Sequence, residues 1–290
     1  MADFPNVTSP RELMQLFEEY GLQPHKRLGQ NFLIDANIVR KIVEALEVEA
    51  DDLVFEIGPG AGALTTELAK SGAQLVAIEL DRGLCGLLGN LFEKWPNVKL
   101  INKDVLKLNW ESLFAEFCKG GQTVKLISNL PYVISGPFVY AILKSSFPFQ
   151  RAIIMLQKEV AHRLVTAPGE SDYGALSVLC QYYTDGEILF NVSKNVFWPR
   201  PGVSSAVLKL KPGERLLGVE EEMVLWELVQ GAFQQRRKTL LNNMNRIYPS
   251  LKNKLPEILE EAAVKEQARP EDLSSGQFAM LARITYNYLK

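Results

Sequence analysis

Asn129-Leu130-Pro131-Tyr132 sets an amide, a rigid ring and an aromatic side by side. The four follow an apolar run over 124–127 that reads as a buried parallel strand. They therefore stand at a strand's carboxyl end, where open α/β sheets bind their ligands. The chemistry this set suits is alkylation of an exocyclic amine on a flat base. Such a nitrogen is a poor nucleophile, because its lone pair is delocalised into the ring. The Asn129 side-chain oxygen and a backbone carbonyl beside Pro131 would accept its two N–H bonds and favour a pyramidal nitrogen with a free lone pair. Pro131 fixes φ and has no N–H, which holds the loop carbonyls in place. The Tyr132 ring offers a face for the base to stack on. An ordinary turn after a strand uses the same residue types, so what stands upstream matters.

Upstream, Glu56-Ile57-Gly58-Pro59-Gly60-Ala61-Gly62 forms a glycine turn between a strand and a helix. Glycines let the backbone approach a ligand without a Cβ in the way. A G-x-G-x-G turn alone fits any dinucleotide enzyme. Pro59, however, removes an N–H that a pyrophosphate would use, so a cofactor without phosphate fits better. Glu79 ends the second strand, placed to accept both hydroxyls of a ribose. Asp104 follows the third strand, placed to accept an adenine amino group while Val105 packs on the ring. Each acid alone reads as a surface or capping carboxylate. Four such features at four successive strand ends form a coherent site.

The elements that must position them follow from periodicity. Ser9-Pro10-Arg11-Glu12 is a capping box with proline at the first helical position, and Gly21 ends that helix. Asp35 caps a second helix carrying Ile38, Val39, Ile42, Val43 and Leu46. Strands over 53–57, 74–78, 98–101, 124–127 and 152–156 then alternate with helices, and 187–192 and 204–211 read as two last strands, paired as a hairpin. The order predicts an α/β fold with a doubly wound, mainly parallel sheet. Beyond a linker at Lys211-Pro212-Gly213-Glu214, helices over 220–232, 235–247, 251–264 and 275–289 predict a small all-helical domain. The expected division is 1–212 and 213–290.

At 290 residues, 47% hydrophobic and 23% charged, the chain has the composition of an ordinary globular protein with two cores. No apolar stretch approaches the ~20 residues needed to span a bilayer, so no membrane role is expected. Met1-Ala2-Asp3-Phe4-Pro5 shows no secretory leader, and a cytoplasmic monomer is the expectation. Cys85, Cys118 and Cys180 read as small buried residues, not a disulfide framework. With only His25 and His162 besides, no metal site is expected. The net charge is −2, yet the cations of 191–213 (Lys194, Arg200, Lys209, Lys211) and of 228–255 (Arg236, Arg237, Lys238, Arg246, Lys252, Lys254) stand in stretches with no acid. A basic surface segregated on an acidic chain is how selective phosphate contact would look, although solvated faces read the same way.

Together these motifs resemble the S-adenosylmethionine-dependent methyltransferases, whose class I members share a Rossmann-like fold. More narrowly, the chain is similar to the ribosomal RNA adenine dimethyltransferase family, small-subunit branch, over nearly its whole length. Gly29-Gln30-Asn31-Phe32-Leu33 resembles that family's N-terminal cofactor motif, and the resemblance gives Asn31 and Leu33 contacts at the methionine end of the cofactor. Gly58, Glu79 and Asp104 match its glycine, ribose and adenine positions, and Asn129 to Tyr132 its catalytic loop. Gln157-Lys158-Glu159-Val160-Ala161, Tyr173-Gly174-Ala175-Leu176-Ser177, Val196-Phe197-Trp198-Pro199-Arg200-Pro201 and Phe233-Gln234-Gln235-Arg236-Arg237-Lys238-Thr239-Leu240 are also similar to family segments, the last to its basic helix. Val133, Gly136 and Ala61 depart from the family pattern, and none is a residue assigned to chemistry.

The resemblance implies transfer of a methyl from S-adenosylmethionine to adenine N6, repeated to give dimethyladenosine. It implies two adjacent adenosines near the 3′ end of 16S rRNA as substrate, in an immature small ribosomal subunit. Phe197 is the candidate for the second face of the base stack, opposite Tyr132. Arg236, Arg237 and Lys238 are the candidates for phosphate contact, although three consecutive residues cannot share one helix face. Lys26 and Arg27 fit either closure of the cofactor pocket or RNA contact. A 23S rRNA dimethyltransferase of the antibiotic-resistance type shares fold and reaction, and the long helical tail favours the small-subunit branch. A dinucleotide oxidoreductase is opposed by Pro59 and the Asn-Leu-Pro-Tyr loop. A binding protein that merely keeps the fold is opposed by the intact cofactor set.

Overall fold

The computed structural model describes residues 5–145 and 147–290. Met1 to Phe4, where the reading for a leader falls, lie outside the described residues. The strands are β1 (Phe32–Leu33), β2 (Leu53–Ile57), β3 (Gln74–Glu79), β4 (Val98–Asn102), β5 (Val124–Asn129), β6 (Arg151–Gln157), β7 (Thr184–Val192), β8 (Phe197–Trp198) and β9 (Ser205–Pro212). The helices are α1 (Pro10–Glu19), α2 (Ala36–Leu46), α3 (Ala63–Ala69), α4 (Arg82–Leu91), α5 (Trp110–Phe117), α6 (Ser135–Lys144), α7 (Lys158–Val165), α8 (Ala175–Tyr183), α9 (Val219–Phe233), α10 (Leu240–Ile247), α11 (Leu255–Glu261) and α12 (Ser275–Leu289).

β2 sits in the sheet interior because every residue of Leu-Val-Phe-Glu-Ile is buried, on both faces. Among the described residues the sheet has seven strands in the order β4-β3-β2-β5-β6-β9-β7. β4 to β6 run parallel, and β9 pairs antiparallel with β6. The register levels three carboxyl ends: Ile57 lies opposite both Ile78 and Ser128. The glycine turn, Glu79 and Asn129 therefore leave the sheet side by side. At the opposite edge Lys125 reaches the carbonyl of Glu47, and Arg151 donates to that of Ala45 at 3.1 Å. Two cations from strand starts thus satisfy carbonyls at the end of α2.

The chain forms two compact units, 1–161 with 187–211, and 162–186 with 212–290. A single break after 212 would leave 162–186 in the first unit; the structure groups that segment with the second. There, Tyr173 donates its hydroxyl to the carbonyl of Leu273 at 2.9 Å, and Tyr182 receives the N–H of Leu217 at 3.1 Å. Three thiols were expected to be buried. All three are free, but only Cys180 is buried; Cys85 and Cys118 are partly exposed, Cys85 off the packed face of α4 and Cys118 just past the end of α5. Among the described residues no helix is long and apolar enough to cross a membrane. No group of three or more His, Cys, Asp or Glu is placed there to hold a metal ion.

Candidate active site

One cavity of the first unit gathers Asn31, Leu33, Gly58, Glu79, Asp104, Asn129, Pro131, Tyr132 and Phe197 along its wall. Its floor is the glycine turn. Gly58 has φ +67° and donates its N–H to the carbonyl of Ile78 at 2.9 Å. Gly60 has φ +61° and donates to the Glu79 carboxylate at 3.1 Å, and Gly62 donates to Pro59's carbonyl at 2.9 Å. Pro59 has no N–H. The three glycine amides are thus already used within the protein, with a carboxylate beside them. That opposes the dinucleotide reading of the turn and suits a cationic ligand.

Glu79 is 6% exposed, and its second oxygen accepts the N–H of Asp81 at 2.8 Å. Burial pushes its carboxyl up to about 7, against the pull of the Asp81 and Gly60 amides, and the charge of Asp81 adds to the rise. A carboxylate has about four acceptor positions, so both oxygens keep a lone pair for a ribose. Asp104 spends one oxygen on the N–H of Leu106 at 3.0 Å, with Lys107 3.7 Å from the other. Val105, buried beside it, lines the cavity.

The amide-and-proline loop is fastened on three sides. Ser128 donates to Ile57's carbonyl at 2.6 Å, and Leu130's N–H reaches the carbonyl of Met155 at 3.3 Å. The Asn129 amide nitrogen donates to Asn31's carbonyl at 3.4 Å, so its oxygen is the acceptor that remains. Pro131's own carbonyl takes the N–H of Ile134 at 3.1 Å, which leaves Leu130's as the second acceptor for an amine. Tyr132 is half-buried and its hydroxyl pairs with that of Ser205 at 2.7 Å, which holds the ring in place.

The N-terminal segment roofs this loop. Gly29, with φ +67°, would carry a Cβ only 3.3 Å from Val133 and 3.6 Å from Pro131, so a side chain there would push the roof off the loop. Gln30 fastens the roof by donating to Asp81 at 2.9 Å while its own oxygen accepts the N–H of His25 at 2.7 Å. The two-residue pairing of β1 with β8 sets Leu33 opposite Phe197. Phe197 is 4% exposed and packs in the core with Leu33, Val39 and Ile42, so its ring meets the cavity from a buried seat.

Two residues carry weight that the motif reading did not assign. Asp81 joins the roof to Glu79 and caps α4. Glu56, 1% exposed, lines the cavity with both carboxylate oxygens lacking a hydrogen-bond partner. Burial pushes it up to about 8, with Thr65 pulling down and the charge of Glu79 adding to the rise. A lone acid inside an otherwise apolar strand was the visible signal.

The basic stretches differ from expectation. Arg236, Arg237 and Lys238 lie in the second unit, in a turn between α9 and α10 and not on a helix, because Thr239 caps α10 by accepting the N–H of Asn242. Arg236 donates to the carbonyls of Ser171 and Tyr173 at 3.0 and 2.9 Å, a structural duty. Arg246 donates to Gly231's carbonyl, Lys254 pairs with Glu257, and Lys209 with Glu187. Among the described residues, Arg237, Lys238 and Lys252 have no acidic partner.

The family model described as ribosomal RNA adenine dimethylase matches residues 21–285. The chain is 41% identical to the ribosomal RNA small subunit methyltransferase A of Ligilactobacillus salivarius, over 97% of this chain and 96% of that one. It is 42% identical to the protein of the same name from Pelotomaculum thermopropionicum, over 95% and 96%. The crystal structure of a dimethyladenosine transferase from Plasmodium falciparum superposes with a TM-score of 0.73 at 25% identity, covering 86% of this chain and 95% of that one. That of the 23S rRNA methyltransferase ErmE gives 0.64 at 25% identity, covering 87% and 98%. The chain belongs to the ribosomal RNA adenine dimethylase family.

Proposed function

We propose that this adenine dimethyltransferase acts on two adjacent adenosines near the 3′ end of 16S rRNA, in an immature small ribosomal subunit, as a cytoplasmic monomer. The observation that carries the reading is the fastened loop at the end of β5, whose Asn129 and Leu130 line the cavity while the N–H of Leu130 and the amide nitrogen of Asn129 are held by other carbonyls. S-adenosylmethionine, the methyl donor, supplies an electrophilic carbon on a sulfonium. Glu79 would hold its ribose and Asp104 and Val105 its adenine, while Asn31, Leu33 and Gly58 border its methionine end.

Chemistry on a base requires that the base leave its stack. Tyr132 would receive one face of the extruded adenine, with Phe197 behind it. The two acceptors draw the N6 hydrogens away from the ring plane, which frees the nitrogen lone pair toward the donor. Positioning and the loss of separated charge supply the gain in rate. No general base is needed, since the methylated amine is acidic enough to release its proton to water.

Purified small subunits from a strain lacking the enzyme, incubated with the protein and S-adenosylmethionine, should gain dimethyl groups on two neighbouring adenosines. Modification confined to large-subunit RNA would overturn the substrate assignment. For RNA contact the clean variant spares Arg236, whose guanidinium holds two carbonyls. Replacing Arg237 and Lys238 by glutamine should weaken rRNA binding and lower its logarithmic salt slope by about 1–2, read from titrations at several salt concentrations. An unchanged slope would return both cations to solvent.

A further inference from the structure

Tyr132 stands on a segment that cannot fix its ring alone. No residue of the short turn Tyr132–Ile134 is buried, so the turn does little to choose among the staggered wells of the ring's χ1 angle. Its hydroxyl, however, meets the Ser205 hydroxyl at 2.7 Å. Ser205 is a rigid post. It is fully buried, opens β9 opposite Gln157 of β6, and follows Ser204, whose carbonyl takes the N–H of Lys158 at 3.0 Å. A contact at the hydroxyl, on the ring's own axis, fixes the direction in which the ring points. We propose that Ser205 is a positioning residue for the second of the two methyl transfers: by tethering Tyr132 it keeps the adenine in place once the first methyl has taken away one of the amine's two N–H bonds. The inference rests on the reading of the β5 loop as the seat of the target adenine.

Unmodified adenine offers two N6 hydrogens, one for the Asn129 oxygen and one for the Leu130 carbonyl. The Asn129 amide nitrogen is engaged with Asn31's carbonyl at 3.4 Å, and Leu130's N–H with that of Met155 at 3.3 Å, so both acceptors are held where they are. Two hydrogen bonds locate the amine even over a loose ring. In each round the sulfur–methyl bond breaks with its electron pair left on sulfur, the nitrogen lone pair forms the new bond, and one amine proton goes to water. The first product therefore keeps a single N–H. One acceptor then faces a methyl group and holds nothing, and the place of the base depends on the stack. Phe197 requires no tether, because it is seated in the core with Leu33, Val39 and Ile42. Tyr132 does, and Ser205 supplies it.

A merely structural serine would behave differently. Were its hydroxyl needed only to steady the start of β9, its removal would lower stability and slow both transfers alike. A tether instead alters the ratio of products, because only the monomethylated base leans on the ring. It also makes the two hydroxyls one unit: removing either breaks the contact, and removing both breaks nothing more. The wall that would hold the cofactor's ribose and adenine is untouched. Glu79, Asp104 and Val105 leave the sheet from β3 and β4, across β2 and β5 from β9.

Single-turnover methylation of small subunits that lack the modification reads the two rates separately, once the rRNA is digested and its monomethyl- and dimethyladenosine are counted by mass spectrometry. Ser205→Ala should slow the second transfer about tenfold and the first about threefold or less, the size that one hydrogen bond commands. Monomethyladenosine should accumulate, while the affinity for S-adenosylmethionine, read by calorimetry, should not move. Tyr132→Phe should give the same pattern, and the double variant should be no slower than either single one. Should Ser205→Ala not fold, Tyr132→Phe reads the contact from its other side. Equal slowing of both transfers, no slowing, or losses that multiply in the double variant overturn the inference and leave the seat of the adenine standing. Tyr132→Ala with both transfers intact, or no methylation by the native chain, overturns that seat as well.

Discussion

Asn129→Ala should leave a folded protein that still binds rRNA yet transfers methyl groups about 10²–10³ times more slowly, the loss typical of one preorganised polar contact to a reacting group. Alanine removes the oxygen that would accept an N6 hydrogen and leaves the Leu130 carbonyl to act alone. It also frees the carbonyl of Asn31, which now receives the Asn129 amide at 3.4 Å. Because Ser128, Leu130 and Ser205 fasten the loop independently, its course should persist. Single-turnover methylation with bound subunits separates the two effects: the rate should fall while the RNA dissociation constant stays within a few-fold. Near-normal turnover would remove the account of the loop.

Lys125→Met should lower stability by about 3–5 kcal/mol, the range for removing one partner of a buried ion pair. Lys125 and Asp52 have side chains only 9% and 6% exposed, with Nζ 2.6 Å from Oδ2. The same ammonium meets the carbonyl of Glu47, the αL residue that ends α2. Methionine fills much the same space but abandons a buried carboxylate and an open helix end. Urea unfolding reads the loss directly, and Asp52→Asn added to Lys125→Met should restore part of it. By contrast, Lys70→Ala, which breaks the solvent-exposed pair with Glu67, should change little. A small effect at Lys125 would mean that water reaches the pair.

The periodic elements were legible because local physics set them. Leu53–Ile57 begins and ends where the pattern put it, and Ser9 and Asp35 cap their helices, although Glu12 accepts the N–H of Asn6 and closes no reciprocal box with Ser9. α5 escaped, although Asn109 caps it through the N–H of Ser112, because an eight-residue helix spans barely two turns of pattern. Two tail helices proved shorter: the one expected over 235–247 begins only at Leu240, and the one over 251–264 narrows to Leu255–Glu261. Thr239 restarts the chain at α10 and Pro256 fixes the first turn of α11, so the segment from 234 to 239 turns instead of winding. Long-range pairings were beyond reach. Nothing local tells Phe32–Leu33 to meet Phe197–Trp198, or places β9 between β6 and β7. The strand-end residues of the pocket could be named because an alternating sheet delivers them to one edge. The duties of Gln30, Asp81 and Arg236 arise from contacts far apart in sequence and needed coordinates.

The glycine turn has one more implication. Its three glycine amides are satisfied by Ile78, Glu79 and Pro59 of the protein itself. The floor is therefore preorganised: a ligand arriving there does not have to order it, and little conformational entropy is lost on docking. Such a floor can be emptied and refilled twice per adenosine without refolding, which suits an enzyme that must exchange its donor between successive methylations of one nitrogen.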